Sequence, residues 1–376
     1  MGSQLGFERR APLPKDILWL DPIDIGVGRL QSLRFPGPDG LRAFGVILHS
    51  YLRLGLNLRA AGFAVAFHDY DWRQGIDVLG RELAERLRCE PCSRIAIVAH
   101  SMGGLVSRAA LALPGGEKVE RLILLGTPNF GSFAAVQALR GTYAVVRKIA
   151  RLAPEEASAE SLVSEVFSTF PSLYHLLPDP ERNGGLNLFD PSQWPRSGPG
   201  PRPELLATAR SVRASLAPPD RRFSVVTGVR QETVTAVARR RDEFVYTVTR
   251  RGDGTVPVEC SVLPGADNYY TTVAHSELTR DPTVARAIID LLRTGSTRRL
   301  PPRWSYSGTA CARISDRELR RTHMAKVDWA HLEPDERRIF LQTLNEPPKL
   351  RLRVPERAGA RRDRRSKARR RSQTGQ

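Results

Sequence analysis

Apolar and polar positions along this chain follow two periods, and the switches between them mark its elements. Residues 41–61 carry apolar side chains at helical spacing up to Gly62 and predict an amphipathic helix. A short apolar run at 63–67 predicts a buried strand, and residues 75–88 return to the helical period. Residues 95–99 form a second apolar run, followed by a helical pattern from 102 to 113. Residues 119–125 read as a third strand, closed by Gly126-Thr127-Pro128. Strand–helix alternation at this short spacing predicts the α/β class, with a mostly parallel sheet flanked by helices.

The pattern changes after residue 133. Residues 134–222 are helical at first and then rich in Pro, Gly, Asn and Ser over 177–203. A long irregular insertion between sheet strands predicts a cap over a functional site. Strand character resumes at 223–227 and recurs at 244–249 and 269–274, and residues 282–293 predict a last core helix. Ser315-Asp316-Arg317-Glu318 fits a capping box opening a short helix, and 333–345 a second amphipathic helix closed by Pro347-Pro348. The expected organisation is a core over 1–133, a cap over 134–222, the rest of the core over 223–295, a small helical appendage over 296–355 and a basic disordered tail over 356–376.

Composition adjusts this picture. With 41% hydrophobic and 26% charged residues the chain can bury a sizeable core. The formal charge of +18 points toward an anionic partner. Its distribution weakens that reading: residues 357–371 hold nine Arg or Lys against one Asp, net +8. Arg also outnumbers Lys throughout, as Arg-biased codon usage would produce. Cys89-Glu90-Pro91-Cys92 is a lone CxxC without the second pair that a zinc site needs, so Cys89, Cys92, Cys260 and Cys311 read as free thiols. The N-terminus carries neither a signal-peptide apolar run nor a myristoylation signal, and no stretch approaches the ~20 apolar residues of a membrane span. As written, the chain reads as cytoplasmic.

The chemistry centres on Ile95-Ala96-Ile97-Val98-Ala99-His100-Ser101-Met102-Gly103-Gly104-Leu105. A strand, a sharp turn bearing Ser and a helix together form a nucleophile elbow of the α/β-hydrolase type, with Ala in place of the first Gly. The turn is strained, so small residues are expected two positions before and two after Ser101. The N–H of Met102, at the start of the helix, can face a developing oxyanion.

A nucleophilic Ser needs a base, and the base an orienting carboxylate. In this fold the chain order is Ser, acid, His. Of seven histidines, only His275, His323 and His331 lie late enough, and the last two fall in the appendage. His275 follows a predicted strand and precedes the last core helix. Arg251-Gly252-Asp253-Gly254-Thr255-Val256-Pro257 sets Asp253 between two glycines, 22 residues before His275. The same peptide also reads as a plain turn. His100 is expected to shape the elbow rather than act as base.

With these residues in hand the chain resembles the lecithin:cholesterol acyltransferase family. Asp16-Ile17-Leu18-Trp19-Leu20-Asp21 is similar to its early tryptophan segment, and Tyr70-Asp71-Trp72-Arg73 to its Tyr-Asp-Trp-Arg motif. Ala99–Gly103 is similar to its elbow, and Leu125-Gly126-Thr127-Pro128-Asn129-Phe130-Gly131-Ser132 to its post-strand loop. Gly252–Pro257 and His275 complete a match over residues 1–295. The resemblance implies a lipid acyl-ester substrate and an acyl-enzyme passed to water or an alcohol. Trp72, Phe130 and Tyr174 are the candidate substrate-binding positions. For Asp71 and Arg73 a structural salt bridge, with Trp72 packed beneath the cap, is favoured over a direct part in catalysis. Met1-Gly2-Ser3-Gln4-Leu5 resembles the middle of a family motif whose preceding strand and Pro-Gly are absent here. The resemblance therefore puts the second oxyanion donor just before Met1, the first strand missing and the true start upstream. A genuine start at Met1 would favour an impaired enzyme.

The function expected is a serine lipase, phospholipase or O-acyltransferase using Ser101, Asp253 and His275, with no metal or cofactor. The alternative is a catalytically impaired hydrolase-fold protein that binds anionic surfaces or nucleic acid through 357–371. A peptidase or thioesterase also fits the elbow. The expected partners are a hydrophobic ester substrate and an anionic surface, without obligatory nucleic acid.

Overall fold

The computed structural model describes residues 2–8, 15–182, 184–306, 308, 311–321 and 326–343. The centre is a four-stranded, wholly parallel sheet in the order β4-β5-β6-β9: β4 is Ile95–His100, β5 Val119–Leu125, β6 Phe223–Gly228 and β9 Asp267–Thr271. Strands covered on both faces read as continuous apolar runs. β5 shows why. Leu122 and Leu124 face the helices Ile76–Cys89 and Met102–Leu111, while Ile123 and Leu125 face the helices Leu48–Ala60 and Pro282–Thr294. Each such side chain, fully buried, contributes about 1.5–3 kcal/mol. The result is a three-layer α/β fold with the sheet between two helical layers.

Two small antiparallel sheets flank this core. In the first, β1 (Ser3–Phe7) lies between β2 (Asp16–Trp19) and β3 (Leu41–Val46). Here the helix expected over 41–61 is corrected. Its first six residues pair with β1, and the helix starts at Leu48. The strand expected at 63–67 has no regular secondary structure and joins no ladder among the described residues, with Ala64 and Ala66 exposed.

In the second sheet β8 (Glu243–Thr249) lies between β7 (Thr233–Arg240) and β10 (Ala312–Ser315). β10 corrects the expectation of a purely helical appendage over 296–355, since part of it is an edge strand. The capping box beside it is present. Ser315 N–H donates to Glu318 and Glu318 N–H to Ser315 Oγ, at 2.7 and 3.2 Å, opening the helix Asp316–Arg321. Asp316 is buried and receives the Arg140 guanidinium at 2.9 Å and the Tyr246 hydroxyl at 2.7 Å. That buried pair ties the C-terminal segment to the insertion. The helix expected over 333–345 spans Pro334–Thr343. The basic run 357–371 and the tail 356–376 lie outside the described residues.

The insertion packs in two directions. The helices Ala144–Leu152 and Ala159–Glu165 bury Val146, Ile149 and Val163 against Leu5, Leu18 and Trp19 of the first small sheet. The helix Phe133–Leu139 packs against Phe244, Tyr246 and Val248 of the second. Among the described residues, no helix is long and apolar enough to cross a membrane.

Candidate active site

Ser101 ends β4 and precedes the helix Met102–Leu111, with φ 55° and ψ −129°. A non-glycine residue at positive φ costs on the order of 1–3 kcal/mol, and it persists because its neighbours fix it. Ser101 N–H donates to Leu125 O at 2.9 Å, which carries the β4–β5 ladder into the turn. The crowding differs from the expectation. A Cβ on Gly103 would meet only Tyr70 Oη at 3.5 Å, whereas one on Gly104 would lie 2.1 Å from Thr127 Oγ1. The packing demand therefore falls three residues after Ser101, where the helix passes over the end of β5. The Met102 amide opens that helix, where N–H groups lack intrahelical acceptors.

The structure brings Ser101, His275 and Asp253 together. His275 Nε2 is 3.0 Å from Ser101 Oγ, and His275 Nδ1 is 2.7 Å from Asp253 Oδ2. An ionised carboxylate only accepts, so the network assigns the proton to Nδ1 and leaves Nε2 free to accept from the Ser101 hydroxyl. Asp253 is 1% exposed. Its Oδ1 accepts from the Thr255 and Val256 amides at 2.9 and 2.7 Å, which close the turn around it. His275 N–H donates to Asp253 O at 2.8 Å, so the two residues are joined through backbone as well as side chains.

Four contributors escaped the sequence reading. Gly126, at φ 54°, sits where a Cβ would be 2.9 Å from Asp253 Oδ2 and 3.0 Å from His275 Nδ1. On Gly228, at the end of β6, a Cβ would lie 2.5 Å from Asp253 Cβ. Thr233 Oγ1 accepts from Gly254 N–H at 2.9 Å, and Ser132 Oγ donates to Thr255 O at 2.6 Å. A glycine at the C-terminal end of a predicted parallel strand was the legible signal for the first two. No local signal marks Thr233 or Ser132, because each acts across a long sequence separation.

Two of the three suggested substrate positions are buried in the core. Trp72 is 3% exposed, packs edge-on against Trp19 and Phe170 at 5.0 and 5.6 Å, and donates Nε1–H to Ser3 O at 3.1 Å. Tyr174 is fully buried, donates to Ser168 O at 2.6 Å and accepts from Arg202 N–H. Both are core residues with their polar atoms satisfied, which corrects their assignment as ligand contacts. Phe130 packs beneath the Arg182 guanidinium, 4.5 Å from the ring centre, and against the core beside Ile97. Asp71 and Arg73 form the buried ion pair at 2.7 Å, and Arg73 also donates to Leu33 O and Arg34 O. His331 is exposed and pairs with Asp328 at 2.6 Å, while His323 lies outside the described residues.

The N-terminal residues border the elbow. Ser3 Oγ accepts from Tyr70 N–H at 3.1 Å, and a Cβ on Gly2 would lie 2.6 Å from Tyr51 Oη. Met1, beside which the resemblance puts the second oxyanion donor, lies outside the described residues. Cys89, Cys92, Cys260 and Cys311 are all free thiols, and Cys260 is buried.

Comparison with known proteins fits this architecture. Residues 82–168 match the family model described as "PGAP1-like alpha/beta domain". That span runs from the helix before β4 through the elbow and β5 into the insertion. The matched model is not that of the lecithin:cholesterol acyltransferase family. No curated protein sequence matches the chain. Among solved structures, the Tle4-Tli4 complex aligns at TM-score 0.40 and 14% identity, over 58% of this chain and 66% of that one, just under two thirds. The mature form of the Bacillus licheniformis lipase BlEst2 aligns at TM-score 0.34 and 16% identity, over 60% of this chain and 76% of that one. The product of lin2722 from Listeria innocua aligns at TM-score 0.28 and 14% identity, over 61% and 72%.

Proposed function

We propose that this protein is a serine-dependent lipid acyl-ester hydrolase or O-acyltransferase that works through an acyl-enzyme on Ser101. The observation that carries the reading is the continuous line of hydrogen bonds from Asp253 through His275 to Ser101 Oγ, at 2.7 and 3.0 Å, on a strained strand–helix turn. His275 Nε2 takes the Ser101 proton as Oγ attacks an ester carbonyl. The imidazolium is held by Asp253 and returns the proton to the leaving alcohol. Water or an acceptor alcohol then attacks the acyl-enzyme with His275 again as base. Met102 N–H supplies one oxyanion donor, and the second is the one the resemblance puts just before Met1. Tyr70, Met102 and Tyr143, partly buried against one apolar cluster, are apolar surface that would suit a hydrophobic ester.

Fluorophosphonate labelling, with fatty-acid release from phospholipid vesicles and p-nitrophenyl esters, tests this reading. The wild-type chain should label and turn over, and Ser101→Ala should lose both, by roughly 10⁴-fold or more in rate. Labelling that persists in Ser101→Ala overturns the assignment, and a panel including peptides and thioesters fixes the reaction class. Adding an acceptor alcohol separates transfer from hydrolysis. For residues 357–371 we keep the role of contacting anionic surfaces. Truncation at Pro355 should abolish salt-sensitive sedimentation with phosphatidylserine vesicles.

A further inference from the structure

We propose that His100 is a positioning residue: its imidazole, set by Tyr51, holds the main chain of His275 so that the base stays aligned on Ser101. This deepens the serine-hydrolase reading above and rests on it. His100 Nε2 is 3.0 Å from the main-chain oxygen of His275. A carbonyl only accepts, so Nε2 carries the proton and Nδ1 is bare. The group facing Nδ1 is the Tyr51 hydroxyl, at a long 3.4 Å, which donates to it. Enclosure first, and then the neighbouring His275, push the His100 imidazole down to about 3, so it stays neutral while His275 cycles between its two charge states. Enclosure likewise pushes the Tyr51 phenol up to about 12, which keeps its proton in place.

The geometry gives this contact a purpose. His275 opens a single 3₁₀ turn, His275–Glu277, in the stretch between β9 and the helix Pro282–Thr294. Its N–H is held by Asp253 O at 2.8 Å, and its own carbonyl is held by His100. The two rings lie 4.8 Å apart and are tilted by 40°. The same loop is anchored a second time to the helix that carries Tyr51, where Thr279 Oγ1 donates to Ser50 O at 2.6 Å. His100 is also the residue immediately before Ser101. One side chain therefore fixes the base loop relative to the nucleophile's own strand, where a displacement of about 1 Å typically costs a hundredfold in rate.

Two substitutions separate positioning from bulk. His100→Leu fills the space without a donor, and His100→Gln places an amide N–H where Nε2 stood. The readouts are kcat and KM for a p-nitrophenyl ester, and the downfield proton resonance of His275 Nδ1–H in its bond to Asp253. His100→Leu should lower kcat by roughly 10- to 100-fold with KM within about twofold, and should broaden the resonance. His100→Gln should keep kcat within about threefold of wild type and the resonance sharp. A folded His100→Leu protein with wild-type kcat and a sharp resonance overturns the proposal, and so do Leu and Gln variants that are equally slow. If His100→Leu does not fold, the Gln variant and Tyr51→Phe decide: both should fold, with Tyr51→Phe showing faster exchange of the His275 proton, and no change there overturns the relay. A wild-type chain that neither labels nor turns over instead counts against the serine-hydrolase reading. The resonance then decides the His100 contact by itself, broadening in His100→Leu supporting it and an unchanged line overturning it.

Discussion

The two halves of the site are held by different means. On the Ser101 side most of the frame is local: β4, the turn at Ser101 and the helix after it occupy one continuous stretch of chain, with Leu125 O and Thr127 as the contacts from β5 and its end. On the side of Asp253 and His275 little is local beyond the Thr255 and Val256 amides that donate to Asp253. Asp253 and His275 come from two loops, room for them is left by Gly126 and Gly228 at the ends of β5 and β6, and their backbones are secured by Thr233, Ser132 and His100. A local turn is held by its own backbone geometry, whereas a site assembled from distant loops depends on every spacer between them. The acid–base side should therefore be the easier one to damage without touching a reacting group.

The largest effect expected from that side is Asp253→Asn. The side chain keeps its shape, but an amide can present N–H to His275 and favour the wrong tautomer, so kcat should fall roughly 10⁴-fold. Circular dichroism and fluorophosphonate labelling rates check it. A loss of less than tenfold in a folded protein would mean that Asp253 does not orient the base.

Next come the spacers. Gly126→Ala adds a methyl 2.9 Å from Asp253 Oδ2 and 3.0 Å from His275 Nδ1, at a φ of 54° that Ala rarely adopts. We expect kcat to fall by about 100-fold and stability by about 1–2 kcal/mol. The elbow offers matched controls. Gly103→Ala meets ordinary contact distances and should stay within about threefold in kcat, while Gly104→Ala collides with Thr127 and should cost on the order of 2 kcal/mol or more in a denaturant melt. If Gly103→Ala proves as harmful as Gly126→Ala, the contrast between the two sides disappears.

The same contrast governs what the sequence made legible. The strands at 95–100, 119–125 and 223–228 and the helices after the first two show their periods in contiguous residues, and the elbow is a contiguous motif. Asp253 and His275 could be proposed from chain order and a glycine-flanked turn. Thr233 could not, because its contribution is a single hydroxyl 21 residues from Gly254. Leu41–Val46 was misread because its alternating residues run directly into a helix, and only pairing with β1 decides that they form a strand. Trp72 and Tyr174 were offered as ligand contacts because an aromatic side chain carries no sign in the sequence of whether it faces a cavity or a core.

Acid should weaken the fold through its buried histidines, His100 beside Ser101 included. His175 is 8% exposed, and its Nδ1 accepts the Ile76 amide at 3.0 Å, capping the helix Ile76–Cys89, which has no side-chain cap at Gly75. Burial pushes its imidazole down to about 4; Asp77 opposes that shift and Arg213 adds to it. The unfolded chain takes up the proton near pH 6.5 and the folded chain only near pH 4. Stability is thus fully present above pH 6.5 and falls between 6.5 and 4, by up to about 1 kcal/mol per pH unit for this residue. Burial also lowers His68, so its contribution has the same sign. Denaturant melts from pH 7 to 4 should show this slope, and His175→Gln should reduce it, with His68 and His100 supplying the remainder. An unchanged slope in that variant would assign the acid sensitivity elsewhere.

The smallest effect is expected in the 70–73 motif. Trp72→Phe removes the Nε1–H bond to Ser3 O and part of the contact with Trp19 and Phe170, but it exposes no new ligand surface. Losing one buried hydrogen bond and some ring area should cost about 1–2 kcal/mol in stability. KM and kcat on a short and a long p-nitrophenyl ester should both stay within about twofold of wild type. A KM that rises only for the long ester would place the ring against an acyl chain, and it would make the 70–73 segment part of substrate recognition rather than the clamp, built on Asp71 and Arg73, that joins it to Leu33 and Arg34.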